Sequence, residues 1–422
     1  MRFALVTPRY GGELTAGVEH ACRLLAEQLC LRFDVDVITT CARDNITWKN
    51  EYGEGADRVG GVLVRRFANN PGHDRHDVQR LYERLISSPH SRAEELEWVR
   101  RTGPWSPGLF DFLKRHHRNY DALVFFSYRC ATAVHGLTIA PERSILFPWL
   151  RLEAPLRFGL TADTLRAPAA VGYFSPAEQR LARFHPRGAR YEEVVGIGVQ
   201  PPPQLAYPRL QQDPQDVDAE TELASVPEDE EFKPHLAERG ALFRRRHRLD
   251  GPIVVHSGRV EPDNGSEELI EYFDSYAAQN GTTSLVLLGV KMMKLPNEPY
   301  LRLAGVLPIR ERMAAFEAAD VTAAPEPDDL LAEPVLESFA AGTPVLATAR
   351  NTAAAEHCRR ANGGFVYSNR DEFVEMLKVL MANAELRHKL GRNGLQYIQE
   401  HFRWELVIRR FERLVERLGR GN

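Results

Sequence analysis

The stretch VTAAPEPDDLLAEPVLESFAAGTPVLATAR, residues 321–350, decides the reading of the chain. It opens as an apolar run that ends a strand and passes through a turn rich in Pro and Asp. A short helix follows at Pro334, whose missing N–H costs nothing in a first turn. The helix stops by Gly342, and TPVLAT reads as a buried parallel strand. Strand, turn, helix and strand form a βαβ unit, and such sheets bind ligands outside the carboxyl ends of their strands, with anions on helix N-termini. Asp329 in the turn and Glu337, eight residues on and one turn into the helix, either face one ligand from opposite sides or are solvated surface acids. On this reading Glu337 faces solvent.

Outward from this stretch the alternation of strand and helix continues. Towards the N-terminus, PIVVHSGRVEPDNGSEELIEYF gives a strand, a loop and a helix starting near Ser266, with Arg259 at the strand's carboxyl end. The alternatives for Arg259 are an anion contact and a salt bridge to Glu261 or Asp263. SLVLLG (284–289) and a short strand near Leu303 add to this half. At the start of the chain Arg2 to Pro8 is a strand and Val18 to Cys30 an amphipathic helix; between them Gly11, Gly12 and Gly17 let the backbone approach a ligand or make a tight turn. Strands at 35–40, 61–67, 122–127, 144–148 and 169–174 follow, with TWKNEYGEG as loop. The whole is an α/β chain of two doubly wound domains facing a cleft.

These motifs resemble retaining nucleotide-sugar glycosyltransferases of family four, which have the GT-B fold of two Rossmann-like domains. The acid, seven residues, acid spacing from Asp329 to Glu337 is similar to their signature. The resemblance implies that Asp329 stands for the first acid, usually glutamate, which contacts the sugar, and that Glu337 binds the ribose. It also implies that the intervening segment, Leu331, Ala332, Glu333, Pro334 and Val335, holds the diphosphate through the amide N–H groups of its non-proline residues. Arg259 is kept at a diphosphate position, whereas Asn264 stands where a lysine is usual. AGVEH, from Ala16, is similar to the family's glycine-rich loop, in which Gly11, Gly12 and Gly17 would contact acceptor and phosphate; Ala16 stands for a glycine. After residues 144–148 the family's His-Asp-Glu is replaced by Arg151, Leu152 and Glu153, so only Glu153 agrees. Losing one preorganised cation costs on the order of 3 kcal/mol, about a hundredfold in rate.

Length, composition and charge fit such an enzyme. A chain of 422 residues exceeds what one core serves. The net charge of −4 gives no attraction to nucleic acid. Five cysteines lie without a CxxC or Cys/His cluster, so neither a disulfide framework nor a metal site is expected. No signal peptide and no apolar run of membrane-spanning length is read, and the expectation is a cytoplasmic protein. Helices over 75–118 carry bases between Trp98, Trp105 and Phe110; they are either a surface for peripheral membrane contact or an ordinary solvated face. The domain reading is 1–203, an acidic linker over 204–235, a nucleotide-sugar domain over 236–401, and a helix over 402–422 returning to the first domain. The implied reaction is metal-independent, retaining transfer from a nucleoside diphosphate sugar, a substrate rather than a cofactor, to a glycan, lipid-linked or small-molecule acceptor. The alternative is a catalytically weak relative that binds a partner transferase or a glycan, because Arg151, Leu152, Asn264 and Asp329 all depart from the pattern.

Overall fold

The computed structural model describes residues 1–14, 17–70, 72, 74–185, 188–199 and 236–419. The acidic segment 204–235 and Ala16 lie outside the described residues. Two compact units divide the chain: Met1–Gly198 with Trp404–Asn422, and Val199–Arg403.

In the first unit β1 (Arg2–Val6), α1 (Gly17–Leu29), β2 (Asp34–Thr40), β3 (Gly55–Val59) and β4 (Val62–Phe67) come first. Three helices follow, α2 (Arg75–Ser87), α3 (Arg92–Thr102) and α4 (Pro107–His116). Then β5 (Ala122–Phe126), α5 (Ala131–Gly136), β6 (Ser144–Phe147), α6 (Gly159–Arg166), β7 (Ala170–Tyr173), α7 (Pro176–Ala182) and β8 (Tyr191–Val194) complete the sheet. Its order is β3-β4-β2-β1-β5-β6-β7-β8, and every pair is parallel except β3 with β4. The central strands are apolar on both faces because helices cover both: β5 is buried at all its residues. The chain order reverses between β1 and β5, which makes their carboxyl ends the topological switch point.

Strand β3 follows directly on the expected loop TWKNEYGEG (47–55), shares only Gly55 with it, and was not read from the sequence. GADRV is polar and almost fully exposed, so it carries no apolar alternation. It pairs through a tight hairpin, with Gly60 at φ 59° and Gly61 at φ 84° supplying two left-handed positions that suit the twist of an antiparallel pair. Several bases of α2 to α4 are paired with acids, Arg84 with Glu94 at 2.5 Å, Arg101 with Glu97 at 2.7 Å and Lys114 with Asp111 at 3.5 Å.

The second unit holds α8 (Leu236–His247), β9 (Ile253–Ser257), α9 (Ser266–Ala277), β10 (Ser284–Leu288), β11 (Leu301–Gly305) and α10 (Ile309–Ala318). It continues with β12 (Val321–Ala324), α11 (Glu333–Ala340), β13 (Val345–Thr348), α12 (Thr352–Ala361), β14 (Gly364–Tyr367), α13 (Arg370–Ala382) and α14 (Ala384–His401). All strands are parallel in the order β11-β10-β9-β12-β13-β14, so the switch point lies between β9 and β12. Leu269, Phe273, Leu287, Phe373 and Leu377 fill its core.

The last helix, α15 (Trp404–Gly419), belongs to the first unit. Its stripe of Val407, Ile408, Phe411 and Leu414 is buried, and the Phe411 ring meets Phe3 of β1 edge-on at 5.4 Å. Arg413 pairs with Glu193 of β8 at 3.0 Å. Burying Phe411 contributes about 2–3 kcal/mol. Among the described residues no helix is long and apolar enough to cross a membrane.

Candidate active site

In the second unit the loops leaving β9 and β12 meet at the switch point. Glycine is required there by contact: a Cβ on Gly265 would stand 2.5 Å from the Pro325 carbonyl oxygen, and Gly265 has φ 77°. One on Gly289 would lie 1.9 Å from the Gly258 oxygen. The Arg259 side chain is more than half exposed and pairs with Glu261 at 2.9 Å. Its carbonyl accepts from Asn264 Nδ2 at 3.1 Å and from Ser266 Oγ at 3.2 Å. Asn264 therefore braces the loop from within, at the place where the resemblance puts a cation.

The loop after β12 holds an acid that the sequence reading passed over. Glu326 is 5 % exposed, and its Oε1 lies 3.5 Å from His256 Nδ1, neither atom having a hydrogen-bond partner among the described residues. Burial pushes the Glu326 carboxyl well above its usual range, with the charge of Asp329 adding to the effect. Burial also lowers His256 to about 4, so the imidazole is neutral. An acid directly after a buried strand and before Pro327 was the available signal.

Asp329 spends one oxygen on the Leu331 amide at 3.1 Å, an Asx turn that shapes the approach to the helix. Ala332 caps α11 in the left-handed region at φ 48°, a conformation that costs a non-glycine residue on the order of 1 kcal/mol or more. Glu333 and Pro334 fill the first turn, followed by buried Val335. Leu331 is buried as well.

Glu337 is not the solvent-facing acid that its position in a short helix suggested. It is 3 % exposed, and Arg312 of α10 donates to its Oε1 at 2.5 Å, with Glu333 Oε1 3.5 Å from the same nitrogen. The physical reason is tertiary: α10 packs over α11 and brings a cation to a carboxylate that the helix turns inward. Burial raises the Glu337 carboxyl above its usual range, Glu333 adds to the shift, and the Arg312 charge opposes it.

The remaining candidates lie in the first unit. Gly11 and Gly12 are in the loop between β1 and α1, and Gly17 begins α1 at φ 83°. Glu153, after β6, accepts from the Tyr128 hydroxyl and from Arg129 Nη1, each at 2.7 Å. Leu152 beside it is 73 % exposed. Two residues just beyond strand ends take strained left-handed conformations, Ser127 at φ 77° and Trp149 at φ 59°. The Trp149 loop is held by Glu178, a fully buried acid that accepts from the amides of Leu150 at 2.9 Å and Phe174 at 2.7 Å. Burial raises the Glu178 carboxyl to about 7, while those amides work the other way. The structure thus brings Arg259, Asn264, Asp329 and residues 331–335 to one switch point, whereas Gly11, Gly12, Gly17 and Glu153 belong to the other unit.

Two parallel α/β units, each with its loops at a switch point, are the GT-B architecture. Residues 241–397, within the second unit, match the family model for glycosyl transferases group 1. No curated protein matches the chain in sequence. Solved structures similar to it include a sucrose-phosphate synthase from Thermosynechococcus elongatus, 16% identical with a TM-score of 0.66 and both chains covered over 100%. Another is HepE of Anabaena in complex with UDP and glucose, 13% identical with a TM-score of 0.64, over 98% of this chain and 99% of that one. WaaG, a glycosyltransferase involved in lipopolysaccharide biosynthesis, is 15% identical with a TM-score of 0.60, over 98% and 99%.

Proposed function

We propose that the protein transfers a sugar from a nucleoside diphosphate donor to an acceptor, with retention of configuration and without a catalytic metal. The observation that carries this reading is the β9–β12 switch point, where exposed Arg259 and the amino end of α11 come from adjacent strands of the glycosyl transferases group 1 domain. A diphosphate bound there would meet one guanidinium and the positive end of a helix, and charge growing on the leaving phosphate would be stabilised by groups already in place. Binding of UDP by HepE in its solved complex supports a nucleoside diphosphate as the donor's leaving group. In this reading Asp329 contacts the sugar and Glu337 the ribose.

The weaker relative stays as the second reading because of a specific feature. Glu326, Asp328, Asp329, Glu333 and Glu337 crowd the same loop and helix, so the site is acidic where an anion must bind. The deciding experiment is a thermal-shift screen of the common nucleoside diphosphates, with and without a chelator. A rise in Tm with one nucleotide, unchanged by chelator, supports the enzyme; no rise with any, at high concentration, supports the second reading.

A further inference from the structure

A line of buried polar groups runs through the switch point of the second unit and ends on the loop that carries Arg259. Glu326, in the loop after β12, sets its Oε1 3.5 Å from Nδ1 of His256 on β9. On the other side of the imidazole, Nε2 stands 3.5 Å from the Ser266 hydroxyl at the start of α9. That hydroxyl donates to the Arg259 carbonyl at 3.2 Å. His256 and Ser266 are fully buried. The Glu326 carboxyl also lies over Gly258, where a Cβ would stand 2.6 Å from Oε1, so the β12 loop covers the residue just before Arg259.

The line has a direction, because each member has few hydrogens to give. A serine hydroxyl has one, and a neutral imidazole carries one on a single nitrogen. When Glu326 bears a hydrogen, its O–H is given to Nδ1, the imidazole hydrogen sits on Nε2 facing Ser266, and the serine hydrogen is left for the Arg259 carbonyl. When Glu326 has lost it, the order inverts. A carboxylate only accepts, so Nδ1 takes the imidazole hydrogen, Nε2 becomes an acceptor, and the serine hydrogen turns towards it and away from Arg259. The Arg259 carbonyl then keeps the Glu261 amide and Asn264 Nδ2, each at 3.1 Å and each from its own loop, and loses the donor that ties it to α9.

The surroundings favour the hydrogen-bearing form. Burial raises the Glu326 carboxyl, the charge of Asp329 in the same loop adds to the effect, and burial keeps His256 neutral, with the Ala323 carbonyl of β12 beside the ring. Tyr367 on β14 is the further titratable group that senses Glu326. Asn351 donates to the main-chain carbonyl of Glu326 at 2.9 Å, which fixes the loop without engaging the carboxyl. A carboxyl raised in this way loses its hydrogen only as pH climbs through the raised value.

We propose that Glu326 is a positioning residue for the diphosphate loop: by way of His256 and Ser266, its hydrogen holds the Arg259 backbone in the form that binds the donor's diphosphate, and loss of that hydrogen releases the loop. The part played in donor binding rests on the glycosyltransferase reading; the direction of the line does not.

The test has two arms, both on the full chain. In the first, the tightest binder among UDP, GDP and ADP is titrated by calorimetry from about pH 5 to pH 9 into the parent, Glu326→Gln and Ser266→Ala. A carboxamide keeps a hydrogen to give at every pH, and the ligand's own titration cancels in the ratio of affinities. The parent is expected to match Glu326→Gln at the acid end and to bind roughly tenfold more weakly at the alkaline end, while Ser266→Ala is weak throughout. The corresponding bare nucleoside shows no such difference. A ratio of parent to Glu326→Gln that stays flat with pH, or Ser266→Ala binding as the parent does in acid, overturns the positioning role. In the second arm the two His256 nitrogens are read by NMR with isotope-labelled histidine, the signals identified by their loss in His256→Gln. Hydrogen on Nε2 in acid and on Nδ1 in base is expected, and a tautomer that never changes overturns the line itself. Inversion of the tautomer in a chain that binds no nucleoside diphosphate in any form sinks the donor reading and the binding role together, and leaves the line standing.

Discussion

Arg312 reaches from α10 to within 2.5 Å of the buried Glu337 carboxylate, and its Nε has no partner among the described residues. One cation therefore serves two acids of α11, Glu333 being the other. Removing it strands the buried Glu337. Arg312→Met is expected to destabilise the second unit by about 3 kcal/mol, the usual cost of breaking a buried pair from one side, and Glu337→Gln in the same background to restore much of it. Denaturant titration of the three variants checks this; additive losses would show that the pair does not matter as a pair.

Glu337 also separates its two roles. If it holds the ribose, Glu337→Gln should bind nucleoside diphosphate at least about tenfold more weakly, since hydrogen bonds to a charged group are worth roughly 1.5–3 kcal/mol each. Calorimetry at one temperature suffices, and parental affinity would remove the ribose assignment.

Arg259 and Asn264 make opposite predictions. Arg259→Ala should weaken nucleoside diphosphate far more than bare nucleoside if, as proposed, the guanidinium contacts the phosphates. Asn264→Lys should tighten the diphosphate, and the gain should vanish when Arg259 is also replaced if the two act on one group. An unchanged diphosphate affinity in Asn264→Lys means that the loop faces elsewhere.

Glu178 gives a pH prediction. Its carboxyl is raised to about 7 in the fold and lies near 4.3 when unfolded. Between those values the folded chain binds more protons than the unfolded one, so this group's stabilisation is present at low pH and lost as pH rises through 7. Glu178→Gln should flatten the fall of Tm over roughly pH 4.5–7. Thermal melts across that window decide, and a slope identical to the parent's would count against the shift.

Gly265 tests the assembly of the site. Gly265→Ala must fit a Cβ 2.5 Å from the Pro325 oxygen at a left-handed φ, which pushes the β9 loop off the β12 loop. Diphosphate affinity should fall further than global stability does. A binding constant unchanged in a correctly folded variant would separate the two loops functionally.

The parts of the fold legible in the sequence were those with strong local signals. The apolar runs at β5, β9 and β12 and the Ser175 and Pro176 start of α7 carry their structure in their own residues. β3 escaped because its stability comes from a glycine hairpin and a neighbour rather than from apolar alternation. The burial of Glu337 escaped for a related reason: spacing places a residue on its own helix, but the Arg312 that neutralises it arrives from another element. Glu326 and His256 were invisible as a pair because one lies on β9 and the other in the loop after β12, brought together only by the sheet order.

The final helix sets an order of events during synthesis. Residues 404–419 complete a core begun by Phe3, yet they leave the ribosome after the whole of the second unit. The second unit, continuous in sequence, is able to close as it emerges, while the first waits with the seat of Phe411 uncovered. A nascent chain stalled anywhere between these points would present that apolar seat to chaperones, and any tag or truncation at the carboxyl end acts on the half of the protein made first.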